Sequence, residues 1–178
     1  MAREFAKIVN SIWIDDDWRA LTVPAQHLYL VLLTDPKLSY AGVTDWQPKR
    51  ITQKAAQWSQ FEFYKAAAEL SEAYFVVVDE DTEEVLVRSF LKNDEIMKHP
   101  KLSVSMAKAY ADIASNKVRQ ALVHELQALA SRYPDWVGWT KPQVKEVLRQ
   151  RATDPKEMRT DLNVPDEVLP DSLVGMFS

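Results

Sequence analysis

The chain has 178 residues, 47% of them apolar, with three glycines and no cysteine. That is enough for one domain of ordinary size, or a small domain with a helical extension. So few glycines leave no Gly-rich phosphate loop of the usual kind, and the lack of cysteine excludes disulfides and thiolate metal sites. No run approaches the ~20 apolar residues of a membrane span, and MAREFAKIVNSIW lacks the apolar stretch of a signal peptide. The expectation is a cytoplasmic protein with no membrane contact.

The net charge of −4 is unevenly spread. Residues 1–90 carry 9 Lys/Arg against 14 Asp/Glu, residues 91–152 carry 11 against 6, and residues 153–178 carry 2 against 6. Three pieces are expected from this split: 1–92, a helical region 93–152, and an acidic, proline-containing tail 153–178.

In chain order, DDDWRAL (15–21) reads as a short helical turn whose acids suit the positive end of a helix dipole. LTVPAQHLYLVLLTDP (21–36) is a strong helix signal. Thr22 stands at the cap position, Pro24 suits the first turn, and Leu21, Ala25, Leu28 and Leu32 form an apolar stripe. AGVTDW (41–46) is a single strand. PKRITQKAAQW (48–58) is a short helix with Ile51, Ala55 and Trp58 on one face. Ser59 and Glu62 form a capping box, so a new helix begins at Gln60 after a tight turn, the helix-turn-helix pattern.

Wound at 100° per residue, the helix 60–73 places Phe63, Ala67, Leu70 and Tyr74 toward a core, with Phe61, Lys65, Ala68 and Glu72 opposite. YFVVVD and EEVLVRSF (74–79 and 83–90) are β-branched runs joined by polar turn residues, hence a hairpin. Its tip, Asp79 to Glu84, holds five carboxylates. Residues 101–134 are helical with a break near Ser115–Asn116. Residues 140–152 form another helix, with Thr140 and Gln143 in a capping box. Tryptophans 13, 18, 46 and 58 read as core and corner packing, and Trp136 and Trp139 pin the loop around Gly138 to the helices.

No catalytic residue, metal ligand or cofactor site is expected. His27, His99 and His124 stand in no metal-binding spacing, no nucleophile elbow is present, and a metal role for Asp15–Asp17 lacks further ligands. The chain does not read as an enzyme.

The order helix, strand, helix, helix, strand, strand is that of a winged helix-turn-helix, giving a mainly α fold with a small β-wing and a helical C-terminal region. SIWIDDDWRALTVPAQHLYLVLLTDPKLSYAGVTDW, followed by AAAELSEAYFVVVDEDTEEVLVRSF, resembles the winged helix-turn-helix proteins encoded by bacteriophages of actinobacteria. These are described as DNA-binding or replication-initiation proteins and are distantly similar to the DnaD-type primosome proteins. The resemblance covers roughly residues 5–110. It implies a role in phage DNA replication initiation or transcription control, in the cytoplasm of a bacterial host.

In such a module the N-terminal residues of the second helix of the pair meet base edges. Here these are Gln60, Phe61, Tyr64 and Lys65. Lys49, Arg50 and Lys54 on the preceding helix would meet phosphates, with Arg88 and Lys92 adding cations beyond the wing. The partner expected is DNA, double-stranded or single-stranded, with a homodimer contact through 101–152. An acidic module opposes DNA electrostatically. The alternative is therefore a protein-binding winged helix that engages a host replication or transcription factor. The tail, with Val164, Val168, Leu169, Leu173, Val174, Met176 and Phe177, is read as either a disordered acidic end or a segment docking on the basic region 91–152 and shielding it from DNA.

Overall fold

The computed structural model describes residues 4–158, 162 and 164–169. The fold is mainly helical with one small antiparallel sheet. In order it runs α1 (Asp16–Ala20), α2 (Val23–Leu33), β1 (Val43–Asp45), α3 (Pro48–Ile51), α4 (Gln60–Glu72), β2 (Val76–Asp79), β3 (Glu84–Val87), α5 (Phe90–Asn93), α6 (Pro100–Asp112), α7 (Asn116–Arg132) and α8 (Pro142–Leu148). Short 3₁₀ turns fill several of the connections.

The apolar stripe of α2 does what its spacing predicts. Leu21, Ala25, Leu28 and Leu32 are all buried, and α2 packs on α4. Thr22 occupies the cap position of α2 but does not cap it with its own side chain. Instead the Glu69 carboxylate of α4 accepts both the Thr22 backbone N–H and its hydroxyl, each at 2.6 Å. Two helices 47 residues apart are thereby tied end to side. The capping box of α4 is formed as expected. The Ser59 Oγ accepts the Glu62 N–H, and the Glu62 carboxylate accepts the Ser59 N–H, each at 3.2 Å. Phe63, Ala67 and Leu70 are buried. Tyr74 is not, because the helix ends at Glu72 and Tyr74 enters the left-handed region at φ 60°, which turns its ring out of the core stripe.

The strand order is β1–β3–β2, with Val43 opposite Leu86 and Val77 opposite Leu86 on the other side. Gly42, at φ +77°, lets the chain enter β1; a Cβ there would stand 3.2 Å from the Phe90 ring. Val76–Val78 and Val85–Val87 are buried without alternation. Successive strand side chains point to opposite faces, so both faces of the sheet are covered. One face packs on α2 and α4, and the other on α7.

The helical stretch 101–134 breaks where Ser115 caps α7, its Oγ accepting the Val118 N–H at 3.0 Å. The next expected capping box is absent: α8 starts at Pro142, and the Thr140 hydroxyl donates to the Val137 carbonyl instead. The helix expected over 48–58 closes after Ile51 into a 3₁₀ turn, Thr52–Lys54. Trp136 stacks on Tyr133, and the Trp139 indole donates to the Tyr133 carbonyl at 2.7 Å. Gly138 is buried between them, where a Cβ would lie 2.5 Å from the Met97 carbonyl oxygen.

Two stability outcomes follow from this packing. Leu28→Ala loses about 2–5 kcal/mol in urea unfolding, the cost of a cavity in a closed core. Gly138→Ala loses about 1–3 kcal/mol, since the opposing atom is backbone and can retreat only by shifting the chain.

Candidate nucleic-acid interface

The stretch 47–61 contains Lys49, Arg50 and Lys54, four glutamines, and no carboxylate, inside a half of the chain with a net charge of −5. It forms α3, the 3₁₀ turn, and a tight connection through Gln57 in the left-handed region, ending in the first turn of α4. Ile51 anchors this edge in the core, while Trp58 packs half-buried against Phe63 and His27. The polar side chains Lys49, Arg50, Gln53, Lys54 and Gln57 are consequently left in solvent.

Each expected contact residue has a definite place. Lys49 and Arg50 are exposed, Arg50 donating to the Gln47 side chain at 3.0 Å. Lys54 is exposed and lies 3.8 Å from the Asp35 carboxylate. Gln60 and Phe61 are half-buried at the start of α4, and the Lys65 ammonium sits over the Phe61 ring, 5.6 Å from its centroid. These six residues share the α3–α4 edge.

Tyr64, Arg88 and Lys92 do not join them in the same way. Tyr64 is only 9% exposed. Burial raises its pKa, and the carboxylates of Glu80 and Glu167 raise it further. Arg88 is committed inside the fold, its Nε donating to Glu125 at 2.7 Å and its Nη1 to the Tyr74 carbonyl. Arg88 and Lys92 line a cleft of about 890 Å³ walled by α1, the end of α4 and the end of α7, away from α3.

The acids of the hairpin tip are largely turned to structural use. The Glu84 carboxylate accepts the backbone N–H groups of Ala114 at 3.0 Å and Ser115 at 2.7 Å, and Asp79 accepts the Ser115 hydroxyl. Two carboxylates therefore meet the positive end of α7, the longest helix among the described residues. Glu80 lies partly covered near Trp46, Tyr64 and Lys117. Burial raises its pKa, and the hydrogen-bonding and cationic neighbours offset part of that rise. Asp81 and Glu83 alone remain simple solvated acids.

The described part of the tail touches both α7 of the basic region and the N-terminal half. Thr153 bonds Gln120 of α7 through its N–H at 3.2 Å and its hydroxyl at 2.8 Å, and the Lys156 ammonium sits over the Tyr74 ring. Met158, Leu162, Val164 and Val168 pack on the core, and Glu167 comes close enough to act on Tyr64. Leu173, Met176 and Phe177 lie outside the described residues.

Gln53 and Gln57 were not singled out from sequence, although the acid-free window around them was the signal that could have found them. Among the described residues no group of three or more His, Asp or Glu could hold a metal ion, and no helix is long and apolar enough to cross a membrane. Comparison with models of protein families, with curated proteins and with solved structures finds no match.

Because Asp79 and Glu84 serve α7, neutralising them should act on stability. Asp79→Asn with Glu84→Gln lowers the unfolding free energy by about 1–3 kcal/mol, measured in urea, and does not raise affinity for duplex DNA. A tip that merely repelled DNA would give the opposite pair of results.

Proposed function

We propose that residues 20–90 act as a winged helix-turn-helix that binds double-stranded DNA through the α3–α4 edge, in phage DNA replication initiation or transcription control. The observation that carries this reading is the α3–α4 edge, whose stretch 47–61 holds no carboxylate and leaves Lys49, Arg50, Gln53, Lys54 and Gln57 in solvent, with Gln60 half-buried beside them. Cations there neutralise phosphates and release counterions, while glutamine amides suit adenine edges in the major groove. The element order, the placement of β3 between β1 and β2, and the likeness of residues 5–110 to phage winged-helix proteins support it. The commitment of Asp79 and Glu84 to α7 removes part of the repulsion that the composition implies.

A second reading is a winged helix that engages a host protein. It is favoured by the rest of the exposed face of α4, where Glu62, Glu69 and Glu72 outnumber Lys65. DNA lying along the whole helix would meet all three acids, whereas DNA held at its N-terminal turn would meet Glu62 alone.

Fluorescence anisotropy with labelled duplexes at 50 and 200 mM salt separates the two. Lys49→Ala with Arg50→Ala weakens binding to all sequences and flattens the slope of log K against log salt by about 2. Gln60→Ala changes sequence preference by about 1–3 kcal/mol. Absence of affinity for any duplex at 50 mM salt, or an unchanged slope in the double variant, removes the DNA reading.

A further inference from the structure

The cleft that holds Arg88 and Lys92 opens where the acidic N-terminal half meets the basic helices. Its volume is about 890 Å³, and it is lined by α1, the end of α4, the chain leaving β3, the end of α7 and Lys156. That is the size of a ligand site, and such sites favour the space between packed helices. Part of the lining is apolar, from Leu21, Ala73, Phe75, Ala128 and Leu129.

Four of the charged side chains in the lining are spent within the fold. Arg88 donates to Glu125, Nε to Oε1 at 2.7 Å, and the two neutralise each other. The Glu69 carboxylate accepts Thr22, and the Asp15 carboxylate accepts the Trp18 N–H at 2.9 Å. The charges left are Asp17 of α1 and Glu72 of α4, with Lys92 of α5, Arg132 of α7 and Lys156 beyond α8. All five are exposed, and none has an ion-pair partner among the described residues. Arg132 and Lys156 lie instead over the rings of Tyr133 and Tyr74. Acids and cations thus share one cleft without reaching each other. The backbone of the lining is also strained. Tyr74 stands at φ 60°, where a bulky residue is seldom found, with its ring 37% exposed and its carbonyl held by Arg88. Strain of this kind clusters at binding sites.

The charges name the occupant. A purely anionic one would meet Asp17 and Glu72, and a purely cationic one would meet Lys92, Arg132 and Lys156. Each would set like charges side by side in a partly desolvated space. A molecule that carries both signs bridges the two sets instead. We infer that this cleft binds a mixed-charge peptide segment of a partner protein. An apolar side chain of the segment covers Leu21, Phe75 and Leu129, a basic one meets Asp17 and Glu72, and an acidic one meets the three cations. The cleft is too large for a single amino acid to fill, and its free charges come from five separate places along the chain, so the occupant spans several residues. This inference does not depend on the α3–α4 edge binding DNA.

The test uses the full chain and four labelled octapeptides that share a Leu-Phe centre. One has glutamates before the centre and lysines after it, one has the reverse order, one has glutamates on both sides and one has lysines on both sides. In fluorescence anisotropy a mixed peptide binds about tenfold more tightly than either single-sign peptide. Ala128→Trp, at an exposed position of the lining, fills the cleft and removes binding. Asp17→Lys with Glu72→Lys turns the preference to the peptide with glutamates on both sides, a change of specificity that loss of structure would not give. Asp81→Asn with Glu83→Gln at the hairpin tip leaves the order of affinities unchanged. Circular dichroism checks that each variant is folded. Equal binding of all four peptides, no binding of either mixed peptide, or unchanged affinity in folded Ala128→Trp overturns the inference. So does a preference of the unaltered chain for the glutamate-only peptide, which would give the cleft to an anion.

Discussion

Burial of the three-stranded sheet on both faces is the constraint around which the rest of the fold is arranged. Strands of three or four residues cannot stand alone in water. Here α2 and α4 cover one face and α7 the other, so that Val76–Val78 and Val85–Val87 are all removed from solvent. Without α7 the hairpin would present half of its valines to water. The basic C-terminal helices are thus joined to the acidic N-terminal half through the most apolar part of the molecule.

That junction also explains the distribution of charge. A helix covering a sheet must end somewhere near it, and the open N–H groups at its start need acceptors. The start of α7 falls beside the hairpin tip, where Glu84 accepts the Ala114 and Ser115 N–H groups and Asp79 accepts the Ser115 hydroxyl. Glu69 does the same for Thr22 at the start of α2, and Glu62 for Ser59 at the start of α4. Much of the negative charge of the first 90 residues is therefore local hydrogen-bonding chemistry at helix ends. A composition count treats every carboxylate alike, yet these four also serve as hydrogen-bond acceptors at helix starts.

The consequence for recognition is a division of labour along α4. Its N-terminal turn, Glu62 apart, joins the cationic, glutamine-bearing edge, its middle is buried at Tyr64, and its end is acidic. On the proposed reading DNA meets only the first part. The N-terminal segment around Trp13 differs in character, with Phe5, Trp13 and Ile14 left exposed.

By itself the sequence determined the elements that local chemistry dictates. The stripe Leu21, Ala25, Leu28, Leu32, the Ser59–Glu62 capping box, the valine hairpin and the break at Ser115 all depend on neighbours within about one helical turn or one strand, and each appears where its spacing places it. The edge residues Lys49, Arg50, Lys54, Gln60, Phe61 and Lys65 were legible for the same reason. What only the tertiary structure decided involves pairs far apart in the chain. Arg88 reads as a free cation until Glu125, 37 residues on, is found against it. Glu84 reads as a solvated turn residue until the start of α7 arrives 31 residues later. Tyr64 reads as exposed until the fold is seen to bury it, and Trp13 reads as core until it is found with most of its ring uncovered among the described residues. The cost of leaving a charge or a ring in one environment or another is set by what packs beside it, and spacing along the chain carries no record of that.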